Sequence, residues 1–295
     1  MKIGLVGVGN LGSAIAKRLI AGGFELVAYD IDEKARRTAS DLGAQVAKSP
    51  KDLAQLCDLA LLALPFPSDV DSVVAHEDGL LAGAKPGFTI VDMSTVGPGT
   101  TKKNASLAAD KQVEYVDSPV LGRPASCGQW TVPVGGKREV VEKCRPVLGV
   151  LAKQVIHVGD LGSGNIVKLL NNMMFAVINA TTAEMLALAA KLGMNPRVVY
   201  EIIANSGAAT VSKLFLEVGS KILKGDFSPV FSIDLMWKDL DVALAMAREA
   251  GVPVIVTRNA QIINEQARSK GFGKMDTSAV VTVLEEMLGV EARHE

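Results

Sequence analysis

An α/β fold, with an enlarged N-terminal domain on a parallel-rich sheet and an all-α C-terminal domain reached through a long helix, is predicted by three observations. Up to about residue 160, short β-rich runs alternate with helix-length segments. After Gly164 the β signal stops. Between the halves lies "GDLGSG", residues 159–164, where three glycines in six residues separate the last β-rich run from an apolar helical stretch. Domains of 1–162 and 163–295 follow from that boundary.

The β-rich runs are "KIGLVGV", "ELVAYD", "LALLALP", "FTIVDMS", "VEYVDSPV", "TVPVGG" and "KQVIHVG". They lack polar alternation, the pattern of parallel strands covered by helices on both faces. The stretch from Gly136 to Leu151 predicts one more helix, so the sheet exceeds a minimal mononucleotide unit. Beyond Gly164, "NIVKLLNNMMFAVINATTAEMLALAAKLGMNP" predicts a single long helix, stopped at Gly193 and Pro196. Further helical segments are expected near 196–205, 209–223, 233–250, 254–270 and 276–288, punctuated by glycine or proline and without a repeat period.

A chain of 295 residues is long enough for two apolar cores. Its 31 basic and 32 acidic residues nearly cancel, so there is no long-range attraction to nucleic acid or an anionic membrane, and neither partner is implied. Cys57, Cys127 and Cys144 are odd in number and lack C-x-x-C or metal-ligand spacing, which fits free thiols in a reducing cytoplasm. The opening "MKIGLVGVG" is too short and too glycine-rich for an export signal, and no run approaches the roughly 18 uninterrupted apolar residues of a membrane span.

The first strand runs into "GVGNLG", which places Gly7, Gly9 and Gly12 in a G-x-G-x-x-G with Asn10 and Leu11 between them. The first glycine permits a tight turn, the second lets backbone approach a pyrophosphate, and the third allows close helix packing. The phosphates would sit on the helix N-terminus, where free amides and the helix dipole favour an anion. Asp30 ends the second strand, 18 residues beyond Gly12, where a carboxylate accepts ribose hydroxyls and repels a 2′-phosphate. NAD is therefore expected over NADP. NADP stays possible because Lys34, Arg36 and Arg37 begin the next helix. Two further strand ends, "LALP" and "DMST", fall where ligands bind open α/β sheets, which makes Leu64, Pro65 and Thr95 cofactor candidates.

In the long helix, Lys168, Asn171 and Asn172 are three and four positions apart and share one side. They form either a pocket wall or a solvated stripe. His76, His157 and His294 are dispersed, no metal-site spacing is present, and no Gly-x-Ser-x-Gly elbow suggests a hydrolase.

Four ordered motifs covering nearly the whole chain resemble the β-hydroxyacid dehydrogenase family, which includes 3-hydroxyisobutyrate dehydrogenases and tartronate semialdehyde reductases. They are the Gly7–Gly12 fingerprint, "DSPVLGRPASCGQW" followed by "VPVGG", "GNIVKLLNN", and "WKDLDVA". The resemblance implies an enlarged Rossmann domain joined by a long helix to an α domain. It also implies NAD(P)-dependent hydride transfer between the cofactor and a small 3- or 4-hydroxy acid or semialdehyde. It makes Lys168 the general acid/base, Asn172 a substrate contact and Lys238 a residue closing over the cofactor, in a homodimer or homotetramer. The family's substrate loop usually carries Ser-Gly-Gly after its Pro-Val pair. Here Leu121, Gly122 and Arg123 stand there, followed by Pro124. Gly122 and Arg123 are the substrate-loop candidates, with Arg123 either clamping a carboxylate or facing solvent. The related imine reductases share this architecture but generally lack the lysine. A non-catalytic dinucleotide-binding protein is the other alternative.

Overall fold

The computed structural model describes residues 1–208 and 210–293 and divides into two compact units, Met1–Lys168 and Leu169–Glu295. Ala209, at the start of one predicted helix, and His294 lie outside the described residues.

The first unit is a doubly wound sheet. In chain order it contains β1 (Lys2–Val6), α1 (Asn10–Ala21), β2 (Glu25–Tyr29), α2 (Glu33–Asp41), β3 (Gln45–Val46), α3 (Pro50–Leu56), β4 (Leu59–Leu62), α4 (Pro67–Ala75) and α5 (Leu80–Gly83). There follow β5 (Thr89–Asp92), α6 (Pro98–Ala109), β6 (Glu114–Asp117), β7 (Trp130–Gly135), α7 (Arg138–Leu151) and β8 (Ala152–Gly159). The strand order is 3-2-1-4-5-6-7-8, so the connection reverses direction at β1 and β4.

Alternate strand residues supply two cores. Ile3 and Leu5 pack with Ile15 and Leu19 of α1 and with Val141, Cys144 and Leu148 of α7. Val6, Leu62 and Ile90 face Leu53, Val70, Leu80 and Ala108 from α3 to α6. Burying each such aliphatic side chain contributes on the order of 1.5–3 kcal/mol, and both faces of the central strands gain it.

β3 is a strand of only two exposed residues, too short to leave an apolar run, and was not read from the sequence. The sheet is parallel-rich, as expected, with one reversal: β7 pairs antiparallel with the end of β6 through Asp117 and Gly135 and with Leu121 through Thr131. A hairpin-like return needs no helix, and the loop from 118 to 129 supplies it. β8 then pairs parallel with β7, with Gly135 opposite Gly159.

The helix α8 (Ser163–Lys191) begins in the first unit and continues into the second. The first unit runs to Lys168 and so includes the first turn of α8, which is hydrogen-bonded to Asp117 and Thr101 of the sheet domain. By length and composition α8 is the one helix among the described residues apolar enough to cross a membrane.

The second unit contains the rest of α8 and α9 (Pro196–Ala204), α10 (Lys213–Lys224), α11 (Ile233–Glu249), α12 (Ile255–Ser269) and α13 (Val281–Leu288). Along α8 the small residues Ala176, Ala180, Ala183 and Ala187 recur at helical spacing and join Ile222, Met236, Leu240, Ile263 and Val280 in one core. Asn195, Ser212 and Ser232 cap α9, α10 and α11 by accepting a backbone N–H near the helix start. The predicted 209–223 helix starts later than expected, at Lys213, where Ser212 provides that cap.

Candidate active site

The three motif glycines have separate tasks. Gly7 has φ +93°, and a Cβ there would lie 2.4 Å from the Ala63 carbonyl oxygen. At Gly12 a Cβ would lie 1.9 Å from the Gly7 oxygen, so α1 can seat against the turn only without a side chain. Around Gly9 a Cβ would meet nothing within 4 Å, which leaves the space above the loop open. No side chain caps the N-terminus of α1, so the amides that open at Asn10, Leu11 and Gly12 keep their capacity to bind an anion. An uncapped helix start, an open glycine and a carboxylate at the next strand end fit a dinucleotide.

That carboxylate is Asp30. Its Oδ2 accepts the Val8 N–H at 2.7 Å and its Oδ1 the Asp32 N–H at 2.9 Å, which ties the end of β2 to the glycine loop. Each oxygen retains a second lone pair for a ribose hydroxyl. Of the basic residues that begin α2, Arg36 donates to the carbonyls of Asp30 and Ile31, while Arg37 pairs with Glu33 at 2.5 Å. Leu64 packs beside Gly7 and donates its N–H to Ser94 Oγ at 3.0 Å, which joins the ends of β4 and β5. Pro65 is exposed and Thr95 half-buried on those same two connections.

In the loop between β6 and β7, which the resemblance gave to substrate, Gly122 lies under the Trp130 indole, where a Cβ would come within 2.2 Å of Cδ1. Trp130 Nε1 donates to the Arg123 carbonyl at 2.7 Å, and Ser126 Oγ donates to the same oxygen at 3.0 Å. The backbone of Arg123 thus fixes the loop, and its side chain is half-buried rather than fully solvated.

Lys168 is half-buried and donates from Nζ to the Val120 carbonyl at 2.8 Å. Four residues along the same helix, Asn172 is buried and donates through Nδ2 to Asp239 Oδ2. Asn171 donates to Asn172 Oδ1 at 3.1 Å. Lys238 Nζ lies 2.5 Å from Asp239 Oδ1, with both side chains largely excluded from water. Within the second unit, Asp239 therefore joins two predicted site residues. Sequence reasoning passed over Asp239, although it follows Lys238 directly, and it passed over Asp117, which opens the quoted loop motif.

His157 Nε2 is 2.8 Å from the Gly136 carbonyl, and His76 lies in an exposed loop. Burial pushes the thiol of Cys57 up to about 12 and those of Cys127 and Cys144 to about 11, which makes them poor nucleophiles. No cluster of His, Cys, Asp or Glu among the described residues is able to hold a metal.

A glycine loop at the switch point of a doubly wound sheet, open at Gly9 and flanked by Asp30, defines a Rossmann-type dinucleotide-binding protein. The family model for the NAD binding domain of 6-phosphogluconate dehydrogenase matches residues 2–159, and the one for the NAD-binding domain of NADP-dependent 3-hydroxyisobutyrate dehydrogenase matches 162–284. The chain belongs to the β-hydroxyacid dehydrogenase family, a family of nicotinamide-dependent oxidoreductases. It is 38% identical to 2-(hydroxymethyl)glutarate dehydrogenase of Eubacterium barkeri over 98% of this chain and 97% of that one. It is 32% identical to 3-sulfolactaldehyde reductase of Escherichia coli, over 99% and 98%. The structure of 3-hydroxyisobutyrate dehydrogenase from Salmonella typhimurium aligns with a TM-score of 0.88 at 26% identity, over 96% of this chain and 99% of that one.

Proposed function

We propose that the protein is an NAD-preferring dehydrogenase or reductase that interconverts a small 3- or 4-hydroxy acid with its aldehyde or ketone, with Lys168 as general acid/base. The bound nicotinamide would supply or accept the hydride. The supporting observation is the seating of Lys168: a half-buried ammonium held on the Val120 carbonyl at 2.8 Å, on the motif helix one turn from Asn172. Reduction of a carbonyl leaves an alkoxide, and a fixed ammonium both stabilises that charge and delivers its proton from Nζ. In the reverse direction the neutral amine removes the hydroxyl proton. A retained lysine is what weighs against the imine reductase alternative.

Asn172 would hold the substrate and Arg123 its carboxylate, through a charge-assisted pair. Two relatives bear names specifying anionic substrates, a hydroxymethyl dicarboxylate and a sulfonated aldehyde, which favours an acid with a short aliphatic body. Gly7, Gly9, Asn10, Leu11, Gly12, Leu64, Pro65 and Thr95 would line the dinucleotide, Lys238 would close over it, and Asp30 would favour NAD by excluding a 2′-phosphate. Raised thiols without disulfides suit a reducing cytoplasm. The exposed Ile166, Leu170, Met174, Leu188 and Leu192 on and beyond α8 suit packing against a second copy in a homodimer or homotetramer, which sedimentation at micromolar concentration tests.

A steady-state screen of semialdehydes and hydroxy acids with NAD(H) and NADP(H) tests the function. Absence of turnover with every short hydroxy acid and semialdehyde would leave a dinucleotide-binding protein without this chemistry.

A further inference from the structure

A lysine that transfers a proton must be held in place, and the end of β6 does this for Lys168. The register sets Asp117 opposite Gly135 and Gly135 opposite Gly159, so the ends of β6, β7 and β8 reach one level where α8 begins. There the fully buried Asp117 carboxylate accepts the Gly162 N–H at 2.8 Å through Oδ1 and the Asn165 N–H at 2.9 Å through Oδ2. These are amides of the kind that a helix start leaves without a partner, and they are capped from more than forty residues away.

The slot for this carboxylate is built of glycine. A Cβ at Gly135 would lie 2.4 Å from Asp117 Oδ1, and one at Gly164 would lie 2.9 Å from Oδ2. Three residues past Asp117 the same chain segment offers the Val120 carbonyl to Lys168 Nζ. Asn165 adds a bond from Nδ2 to Thr101 Oγ1 at 2.8 Å, which fixes the rotation of the turn. The end of β6 thus grips α8 twice, at its first amides and at the lysine head.

We infer that Asp117 is the positioning residue of Lys168, acting through the first turn of α8 and the 117–120 segment, an assignment that rests on Lys168 being the general acid/base. The Asp117 side chain is fully buried and holds the Gly162 and Asn165 amides under the helix start, a role of position and not of contact with the reacting atoms. Misplacing a reacting group by about 1 Å costs on the order of a hundredfold in rate, so loosening this grip shows in turnover.

The test is Asp117→Asn, which fits the slot but turns an NH2 toward one of the two amides. Expected results are a folded protein, NADH affinity within about threefold of wild type, a carbonyl-substrate KM within about threefold, and kcat lowered at least about tenfold. On a Lys168→Met background the same change should lower the remaining kcat by less than about twofold, because both substitutions act through one group. A purely structural role would lower Tm and leave kcat per NADH-binding molecule unchanged. Near-native kcat in Asp117→Asn, or equal fold-losses in both backgrounds, overturns the assignment. Should the Asn variant not fold, Asp117→Ala replaces it with the same expectations, and failure of both to fold makes Asp117 a residue of the fold and overturns the inference. Native turnover in Lys168→Met alone identifies the general-acid reading as the error and takes the inference with it.

Discussion

Asn172 on α8 donates its side-chain amide to Asp239 on α11, a bond between residues 67 positions apart in sequence. Because Asp239 also faces Lys238 Nζ, one buried carboxylate orients both an amide and an ammonium. Removing one partner of a buried pair leaves the other charge uncompensated. Asp239→Ala should cost about 3–5 kcal/mol in urea unfolding, whereas Glu33→Ala, which breaks the exposed pair with Arg37, should cost less than about 1 kcal/mol. Similar losses in the two variants would show that the Asp239 pair is not buried as described.

Lys168→Met should leave the fold and NADH binding largely intact, since the glycine loop and Asp30 belong to other elements. Turnover should fall at least about a hundredfold, the range for losing general acid catalysis and alkoxide stabilisation. Circular dichroism and NADH titration establish the folded, cofactor-binding state against which the rate is read. Near-native turnover would assign the proton to another group.

Wild-type kcat/KM should be higher with NADH than with NADPH. Asp30→Asn should narrow that gap by relieving repulsion of the 2′-phosphate, with its remaining carbonyl oxygen still available to the Val8 amide. A native preference for NADPH would contradict the role given to Asp30.

Arg123→Ala should lower kcat/KM for the best carboxylate substrate by roughly ten- to a hundredfold, as loss of a charge-assisted contact worth about 1.5–3 kcal/mol does. Its backbone bonds to Trp130 and Ser126 do not depend on the side chain, so the loop should persist. Unchanged kinetics would remove the arginine from the substrate site.

Asp92 provides a pH-dependent prediction. Burial raises its pKa from 3.8 to about 6, against the opposing hydrogen bonds from Ser94 and Tyr115. Below the unfolded value both states are protonated and the group adds no pH dependence. As pH rises from about 4 to 6 the unfolded chain releases its proton first, so stability falls, levelling off above the folded value. Asp92→Asn should remove that fall, making the variant more stable than wild type at pH 7, relative to pH 4, by up to about 3 kcal/mol. Parallel pH profiles of urea stability for the two proteins would refute it.

The glycine turn, the strand ends and the long helix were legible in the sequence because each depends on local spacing. Gly7 and Gly12 had their tasks written in one motif, and the apolar runs became the central strands. β3 was not legible, since two exposed residues at a sheet edge bury no pattern. Nor was the reversal at β7, because an apolar run reads alike in either direction and only its pairing with Asp117 and Leu121 sets its sense. Asp117 and Asp239 escaped for a related reason: the amides that Asp117 accepts and the Asn172 amide on Asp239 lie more than forty residues away, a relation the local sequence does not encode.

The double attachment of Asp30 bears on any attempt to evolve the enzyme toward a different cofactor. The carboxylate that would be discarded also braces Val8 in the glycine loop, so under the proposed role of Asp30 recognition and scaffold would be epistatic at one position. A library randomised at Asp30 alone should be dominated by clones with a slack loop. Productive lineages should retain a neutral acceptor at position 30 and recruit their new cation from Lys34, Arg36 or Arg37, with release of Arg36 from the Asp30 and Ile31 carbonyls as an early step.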